Sequence, residues 1–316
     1  MFRILPLSLF FVIAILIIPF IVKAENEQEN KGVIIAPFTG YRYDIYQFST
    51  PVGTSATDKK LSELTWKNHI SETGIKIQTV PEKNEFNLLG QIKYGYILNK
   101  SKDQDSDWDD IGEFARSFSS VKGNVFDISG AVGFSKDLTE ALLTYYVGMD
   151  YTKYDTKGYG LYYSIRRIHN TDENDLLLGQ THPESELVTK YSFNNYAPWF
   201  GVSVRYPINE KIIFIPTVKI YGFYLSSQAN WILRNDLKHN PSFTNKALGY
   251  GISFDGEFLY KYNNNLDFNA NMGIKKLTMF QGRSKDFLAN GESFSHDLKT
   301  LSFLSSSISC GIKYNL

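Results

Sequence analysis

The sequence contains 316 residues, with 33 Lys and Arg against 33 Asp and Glu, 23 Phe, 21 Tyr and a single cysteine. The zero formal charge argues against a nucleic-acid binder, which needs an excess of basic side chains for phosphate contacts. The single Cys310 excludes both an internal disulfide framework and a zinc cluster built from cysteines.

The first part of the chain differs from the rest. Arg3 is followed by an apolar run from Ile4 to Val22, and Ala24 supplies a small side chain before the polar stretch that starts at Glu25. This pattern predicts a secretory signal peptide over residues 1–24, with cleavage before Glu25. An uncleaved membrane anchor is the alternative, because the apolar run is long enough to cross a bilayer.

Beyond residue 25, aromatic and aliphatic side chains alternate with polar ones, which is the period of a half-buried β-strand. We predict a periplasmic lead at residues 25–40 and a barrel domain at residues 41–316. Ten strands are predicted, at residues 41–48, 61–78, 86–98, 124–135, 142–157, 187–206, 211–230, 246–262, 265–280 and 298–314. Several exceed the roughly 9 to 11 residues that cross a bilayer as a tilted strand, which predicts hairpins projecting past the membrane.

The connections between these strands alternate in length. Short links are predicted at 79–85, 136–141, 207–210 and 263–264, and long ones at 50–60, 99–123, 158–186, 231–245 and 281–297. Short turns at one end and long loops at the other are typical of an outer-membrane barrel. The sequence therefore predicts an all-β fold, a ten-stranded antiparallel transmembrane β-barrel with long extracellular loops, in contact with the outer-membrane lipid of a Gram-negative bacterium. A soluble β-sandwich is the alternative.

Candidate chemistry lies on the long loops. The densest group of carboxylates is Asp103–Asp110, in the second long loop. Asp105 and Asp107 point to the same side of an extended segment and can hold a water between them. A solvated acidic loop and a calcium site are the alternatives, because hard cations take clustered carboxylates. Each of the five histidines lies in a polar context, where an ordinary surface imidazole is the simplest interpretation.

Short motifs recur in order along the predicted strands and the second long loop. They are Leu61–Lys67, Asp105–Asp109, Phe126–Ile128, Gly148–Tyr154, Pro198–Gly201, and Thr217–Lys219 followed by Ser226–Ser227. In their order and placement the sequence resembles the omptins, ten-stranded outer-membrane proteases of Gram-negative bacteria, over most of the length after residue 25.

The omptin resemblance implies a water activated between an Asp pair and an Asp–His dyad, with the histidine as general base. Asp105 and Asp107 match the pair in the same Asp-x-Asp-Trp form. The dyad positions, however, fall on Asn230 and Ile232, and an isoleucine side chain cannot accept a proton.

Two further parts of the omptin site are also changed. The acidic residues that bind a basic substrate side chain correspond to Thr57 and Gln228, so this charge complementarity is absent. Asp236 and His239 lie further along the same loop and offer a rearranged dyad. A turn between them is required, because residues three apart on a strand face opposite sides.

The omptins also bind lipopolysaccharide through basic residues on the outer barrel surface. Lys153 matches one such position, whereas Asn194 replaces another. The resemblance therefore implies lipopolysaccharide dependence, with Lys153 as a candidate contact. No other cofactor and no metal is predicted.

Three functions are compatible with these residues. We favour a non-proteolytic surface barrel that acts through its extracellular loops on a host or peptide ligand, in adhesion or host contact. An endopeptidase with a rearranged dyad is the alternative. A diffusion pore is the weakest hypothesis, because about eight strands enclose only packed side chains and water-filled porins have about 16 to 18.

Overall fold

A computed structural model describes residues 32–82, 84–166 and 179–316, and residues Val33–Leu316 form one compact unit. The predicted signal peptide lies outside the described residues, so its cleavage stays a prediction. No helix in the described ranges is long and apolar enough to cross a membrane.

The described residues form twelve β-strands. They are β1 (Val33–Pro51), β2 (Lys60–Thr79), β3 (Phe86–Ile97), β4 (Lys102–Trp108), β5 (Glu113–Leu138), β6 (Ala141–Arg166), β7 (Gly179–Pro207), β8 (Ile212–Trp231), β9 (Phe243–Lys261), β10 (Leu266–Phe287), β11 (Ser293–Asp297) and β12 (Thr300–Asn315).

These strands form a closed antiparallel ring. Except for β3 with β4 and β11 with β12, neighbours in sequence pair with one another, and β1 pairs with both β2 and β12, which closes the sheet. β3 and β4 pair in succession with the same two neighbours, β2 and β5, so they occupy one position in the ring. β11 extends the β12 position along β10. The ring therefore has ten positions, and the predicted ten-stranded fold is confirmed.

The strand bounds correct two sequence predictions. The first strand begins at Val33 rather than Tyr41, because each residue from Val33 onward already pairs with β2. Much of the predicted long loops is strand as well, since β4, the start of β5, the end of β6 and the start of β7 fall within them. The wall of the barrel therefore continues well past the membrane, and Asp103, Asp105 and Asp107 lie on a strand instead of a loop.

The outward face near the short turns is apolar and exposed, as a lipid-facing surface must be. Tyrosines border it, with Tyr206, Tyr260, Tyr262 and Tyr314 near the short turns and Tyr94, Tyr96 and Tyr250 at the other border. Between them the exposed side chains are aliphatic or phenyl, including Ile92, Ile128, Val132, Val147, Phe200, Ile220, Ile252, Phe254, Met272, Ile274, Ile308 and Ile312. Two aromatic girdles flanking an apolar band are typical of a transmembrane barrel.

The lumen at membrane depth contains ion pairs. The buried guanidinium of Arg42 lies 3.0 Å from Asp44, 3.2 Å from Glu72 and 2.7 Å from Asp127. A charge removed from water is stable only when it is paired in this way.

Above the ion pairs, aromatic side chains fill the lumen. The Trp66 and Tyr191 rings stack at 4.4 Å, the Tyr154 and Phe193 rings at 4.3 Å, and the Tyr46 and Tyr191 hydroxyls are 2.9 Å apart. These rings form one buried cluster that extends across the barrel. It separates the membrane-embedded half of the lumen from an extracellular half that contains the candidate site.

Candidate functional site

Three carboxylates form a row on the luminal face of β4. Asp103, Asp105 and Asp107 pair across the sheet with Trp66, Leu64 and Ser62 of β2, and residues that pair directly share a face. Trp66 and Leu64 belong to the buried luminal cluster. We call Asp103, Asp105 and Asp107 the luminal acid row.

The row lies in a protected environment outside the membrane. Burial raises the pKa of Asp105 well above its usual range, the charges of Asp107 and Asp103 add to this effect, and the Arg234 charge opposes it. Burial also raises the pKa of Asp107, and it raises that of Asp103 to about 6 although the Ser119 side chain and backbone donate hydrogen bonds to it. The row therefore retains protons at a pH where exposed carboxyl groups are ionised.

The other acids of the cluster have local roles. Asp109 Oδ1 accepts hydrogen bonds from the backbone amides of Ile111 and Gly112, both at 2.9 Å, and so caps the turn between β4 and β5. Asp110 forms an exposed ion pair with Lys59 at 2.8 Å. Among the described residues, no group of three His, Cys, Asp or Glu side chains is arranged to bind a metal ion.

Opposite the acids, the strand register of β8 changes the assignment drawn from the omptin resemblance. Asn230 pairs with exposed Lys190, so it lies on the outward face, and Gln228 is outward too. The luminal residues of this stretch are Ala229, which is buried, and Trp231, whose ring lies 6.0 Å from Phe243 of the aromatic cluster. Neither side chain can accept a proton.

The rearranged dyad is not assembled. Arg234 donates two hydrogen bonds to the Asp236 carboxylate, at 2.7 and 2.6 Å, which occupies both of its oxygens. His239 Nδ1 lies 3.2 Å from Asn230 Oδ1 on the outward side of β8. Asp236 and His239 therefore have different partners, and neither is hydrogen-bonded to the other.

A histidine–carboxylate pair that sequence reasoning missed lies on the luminal face nearby. His296 Nε2 of β11 is 3.2 Å from Asp286 Oδ2 of β10. His296 pairs with buried Ser284, which pairs in turn with buried Asn245 of β9, so the imidazole faces the lumen. The hydrogen bond that the Asp286 carboxylate accepts from the imidazole raises the pKa of His296. No local signal distinguished His296, because β11 has only five residues.

The remaining predicted residues lie away from the lumen. Lys153 projects outward and forms an ion pair with Asp155 at 2.8 Å. Its cross-strand neighbour Asn194 accepts a hydrogen bond from the Tyr151 hydroxyl at 2.8 Å. Thr57 lies in the exposed turn between β1 and β2, where its hydroxyl is 2.9 Å from that of Ser55.

The model of the Protochlamydia outer membrane protein family, Pom, matches residues 38–316, which is most of the chain. The chain belongs to the Pom family. Its place in the outer membrane of a Gram-negative bacterium agrees with the aromatic girdles. No curated protein matches the sequence.

Solved structures show what this Pom protein resembles in fold. The outer membrane protease OmpT from Escherichia coli aligns with a TM-score of 0.75 at 13% identity, over 92% of this chain and 99% of that chain. The translocator domain of the autotransporter NalP from Neisseria meningitidis aligns with a TM-score of 0.38 at 10% identity, over 97% of this chain and 96% of that chain. The omptin-like barrel expected from the sequence is thus confirmed at the level of fold.

Proposed function

We propose that this Pom protein is a surface barrel without omptin-type peptidase activity, which acts by binding ligands with the extracellular half of its wall. Two observations support the proposal together. The fold is omptin-like, but the luminal residues of β8, opposite the luminal acid row, differ from those of an omptin site.

The observation that supports the proposal is the pair Ala229 and Trp231 on the luminal face of β8. General base catalysis requires a proton acceptor within hydrogen-bond reach of the attacking water and contributes typically about 10² to 10⁴ in rate. Ala229 has no functional group, and the Trp231 indole only donates. The group on this side that interacts electrostatically with Asp105 and Asp107 is the Arg234 guanidinium, a cation that cannot act as a base.

The luminal aromatic cluster argues against a diffusion pore. Tyr46, Phe48 and Tyr154 are almost completely buried, so no water-filled path separates them. A cavity beside Asn195 and Lys275 has a volume of only about 20 Å³, enough for about one water molecule. A solute the size of a sugar cannot pass without displacing the aromatic rings.

A peptidase assay tests the proposal. The refolded protein, with and without lipopolysaccharide, is incubated with a fluorogenic peptide that contains Arg-Arg, beside OmpT as the positive control. We expect turnover from OmpT and none above background from this protein. Turnover that is lost in an Asp105→Ala variant would refute the proposal.

An endopeptidase with a relocated base is the second candidate, because His296 and Asp286 form a histidine–carboxylate pair on the luminal face. This candidate predicts activity that disappears in both Asp105→Ala and His296→Ala but persists in His239→Ala. Activity lost in His239→Ala and retained in His296→Ala would instead support the dyad of Asp236 and His239.

A further inference from the structure

Three lysines stand side by side on the outward face of the extracellular wall. Lys122 of β5 pairs directly with Lys157 of β6, which pairs directly with Lys190 of β7. All three side chains are exposed. Directly opposed residues have Cβ atoms about 4.5 to 5.5 Å apart, and like charges in such positions destabilise a sheet. We call Lys122, Lys157 and Lys190 the lysine row.

The row is not neutralised by its described neighbours. Lys122 Nζ lies over the Tyr159 ring, 5.1 Å from the centroid. Within the described ranges no carboxylate lies within ion-pair distance of any member of the row. The nearby outward carboxylate of Asp155 is 2.8 Å from Lys153 Nζ. The row therefore presents three positive charges within about 10 Å, since neighbouring strands are about 4.8 Å apart.

The row lies beyond the level of lipid headgroups. The continuous run of outward apolar side chains ends at Tyr151 on β6, six residues before Lys157, at Tyr196 on β7, six residues after Lys190, and at Phe126 on β5, four residues after Lys122. Six residues extend about 20 Å along a strand, or about 15 Å along the membrane normal at a tilt of about 40°. Lys153 stands at the first polar level, and it is already paired. The unpaired charges thus face the medium outside the cell.

We propose that the lysine row binds a linear polyanionic glycan, sulfated or phosphorylated, that approaches from outside the cell. This inference rests on the proposed binding function and names its ligand class. Lysines whose Cβ atoms are about 5 Å apart can meet anionic groups repeated along a polymer. They act together because this spacing is shorter than the Debye length of about 8 Å at physiological ionic strength. Bound anions also relieve the repulsion between the paired lysines.

Other parts of the outward wall extend this basic surface. Lys67 of β2 pairs directly with Lys102 of β4, and Lys246 of β9 pairs directly with Arg283 of β10. These side chains are exposed as well. They form pairs, whereas the lysine row spans three neighbouring strands, so the row is the stronger site for a chain-like ligand.

The test uses the full-length protein refolded in detergent and a fluorescein-labelled heparin octasaccharide as the probe. The row variant combines Lys122→Gln, Lys157→Gln and Lys190→Gln. The matched control combines the same change at three exposed lysines near the short turns: Lys136→Gln, Lys211→Gln and Lys261→Gln. Anisotropy at several salt concentrations gives the affinity and its salt dependence.

We expect the row variant to bind at least about tenfold more weakly with a shallower salt dependence, and the control to stay within about twofold of the unmodified protein. The row variant should also resist urea at least as well as the unmodified protein, because it removes like-charge repulsion. Equal binding by the row variant, or loss of binding that accompanies loss of stability, overturns the proposal.

Two competitors test the ligand class. Equal displacement of the probe by single-stranded DNA would replace the glycan with a polyanion of another class. Binding to vesicles that contain lipopolysaccharide, without binding to heparin, would place the ligand in the membrane. Both results contradict the proposal. Peptidase activity in the lumen would leave the binding result unchanged, so the two proposals can fail separately.

Discussion

Replacing Arg42 with methionine should strongly destabilise the barrel. The guanidinium contacts three carboxylates, those of Asp44, Glu72 and Asp127, at 3.2 Å or less, and only 6% of the Arg42 side chain is exposed. Removing one partner of a buried ion pair costs about 3 to 5 kcal/mol, because the other charge stays buried without compensation. Lys93 remains 3.7 Å from Glu72 and 3.9 Å from Asp127, which keeps the expected loss within that range.

The free energy of unfolding can be measured by urea titration in detergent micelles, followed by tryptophan fluorescence and by the gel shift on boiling. Lys153→Met is the matched control, since its ion pair with Asp155 is 44% and 45% exposed and should contribute no more than about 1 kcal/mol. Adding Asp127→Asn to Arg42→Met should recover part of the lost stability. An Arg42→Met barrel within about 1 kcal/mol of the unmodified protein would refute the view that these pairs stabilise the lumen.

Three further results are expected. The folded-state pKa of Asp103 is about 6, above the usual value of about 3.9, so the protonated carboxyl contributes about 3 kcal/mol of stability below about pH 4. This contribution is lost as the pH rises through about 6. Urea titrations between pH 4 and 7.5 should show the loss in the unmodified protein and not in Asp103→Asn. An epitope inserted at Asn209 should be hidden on intact cells and one at Asn290 exposed, and the opposite labelling would invert the topology. Ala229→Asp combined with Trp231→His should produce peptidase turnover. The control, Asn230→Asp combined with Ile232→His, changes the residues one position further along and should produce none. Equal activity of the two variants would contradict the luminal assignment of Ala229 and Trp231.

The ring of ten strand positions could be predicted because its signals are local. Each membrane-embedded strand alternates apolar and polar residues, and the short turns at 139–140 and 208–211 follow directly in sequence. The extension of β6 and β7 beyond the membrane could not be predicted in the same way. Outside the lipid both faces of a strand can be polar, so the alternation weakens while the backbone pairing continues.

The face of each residue on β8 was the main error in the predicted site. Asn230 was matched to a catalytic position, but its pairing with Lys190 places it outside and leaves Ala229 and Trp231 in the lumen. A shift of one residue moves every side chain of a strand to the other face. The face that each β8 residue occupies is set by the pairing register with β7. The local sequence of β8 does not specify that register.

The position of Arg42 on β1 has a consequence for assembly. β1 closes the ring, and the Arg42 guanidinium contacts Glu72 on β2 and Asp127 on β5. A closing strand displaced by two residues keeps the same face inward, so hydrophobic burial alone does not reject it. In one direction such a displacement would put the Asp44 carboxylate in the place of the guanidinium, against two other carboxylates, and in the other direction it would put Gly40 there and leave those carboxylates uncompensated. Electrostatic repulsion at this point thus discriminates against a misaligned seam before the barrel is sealed.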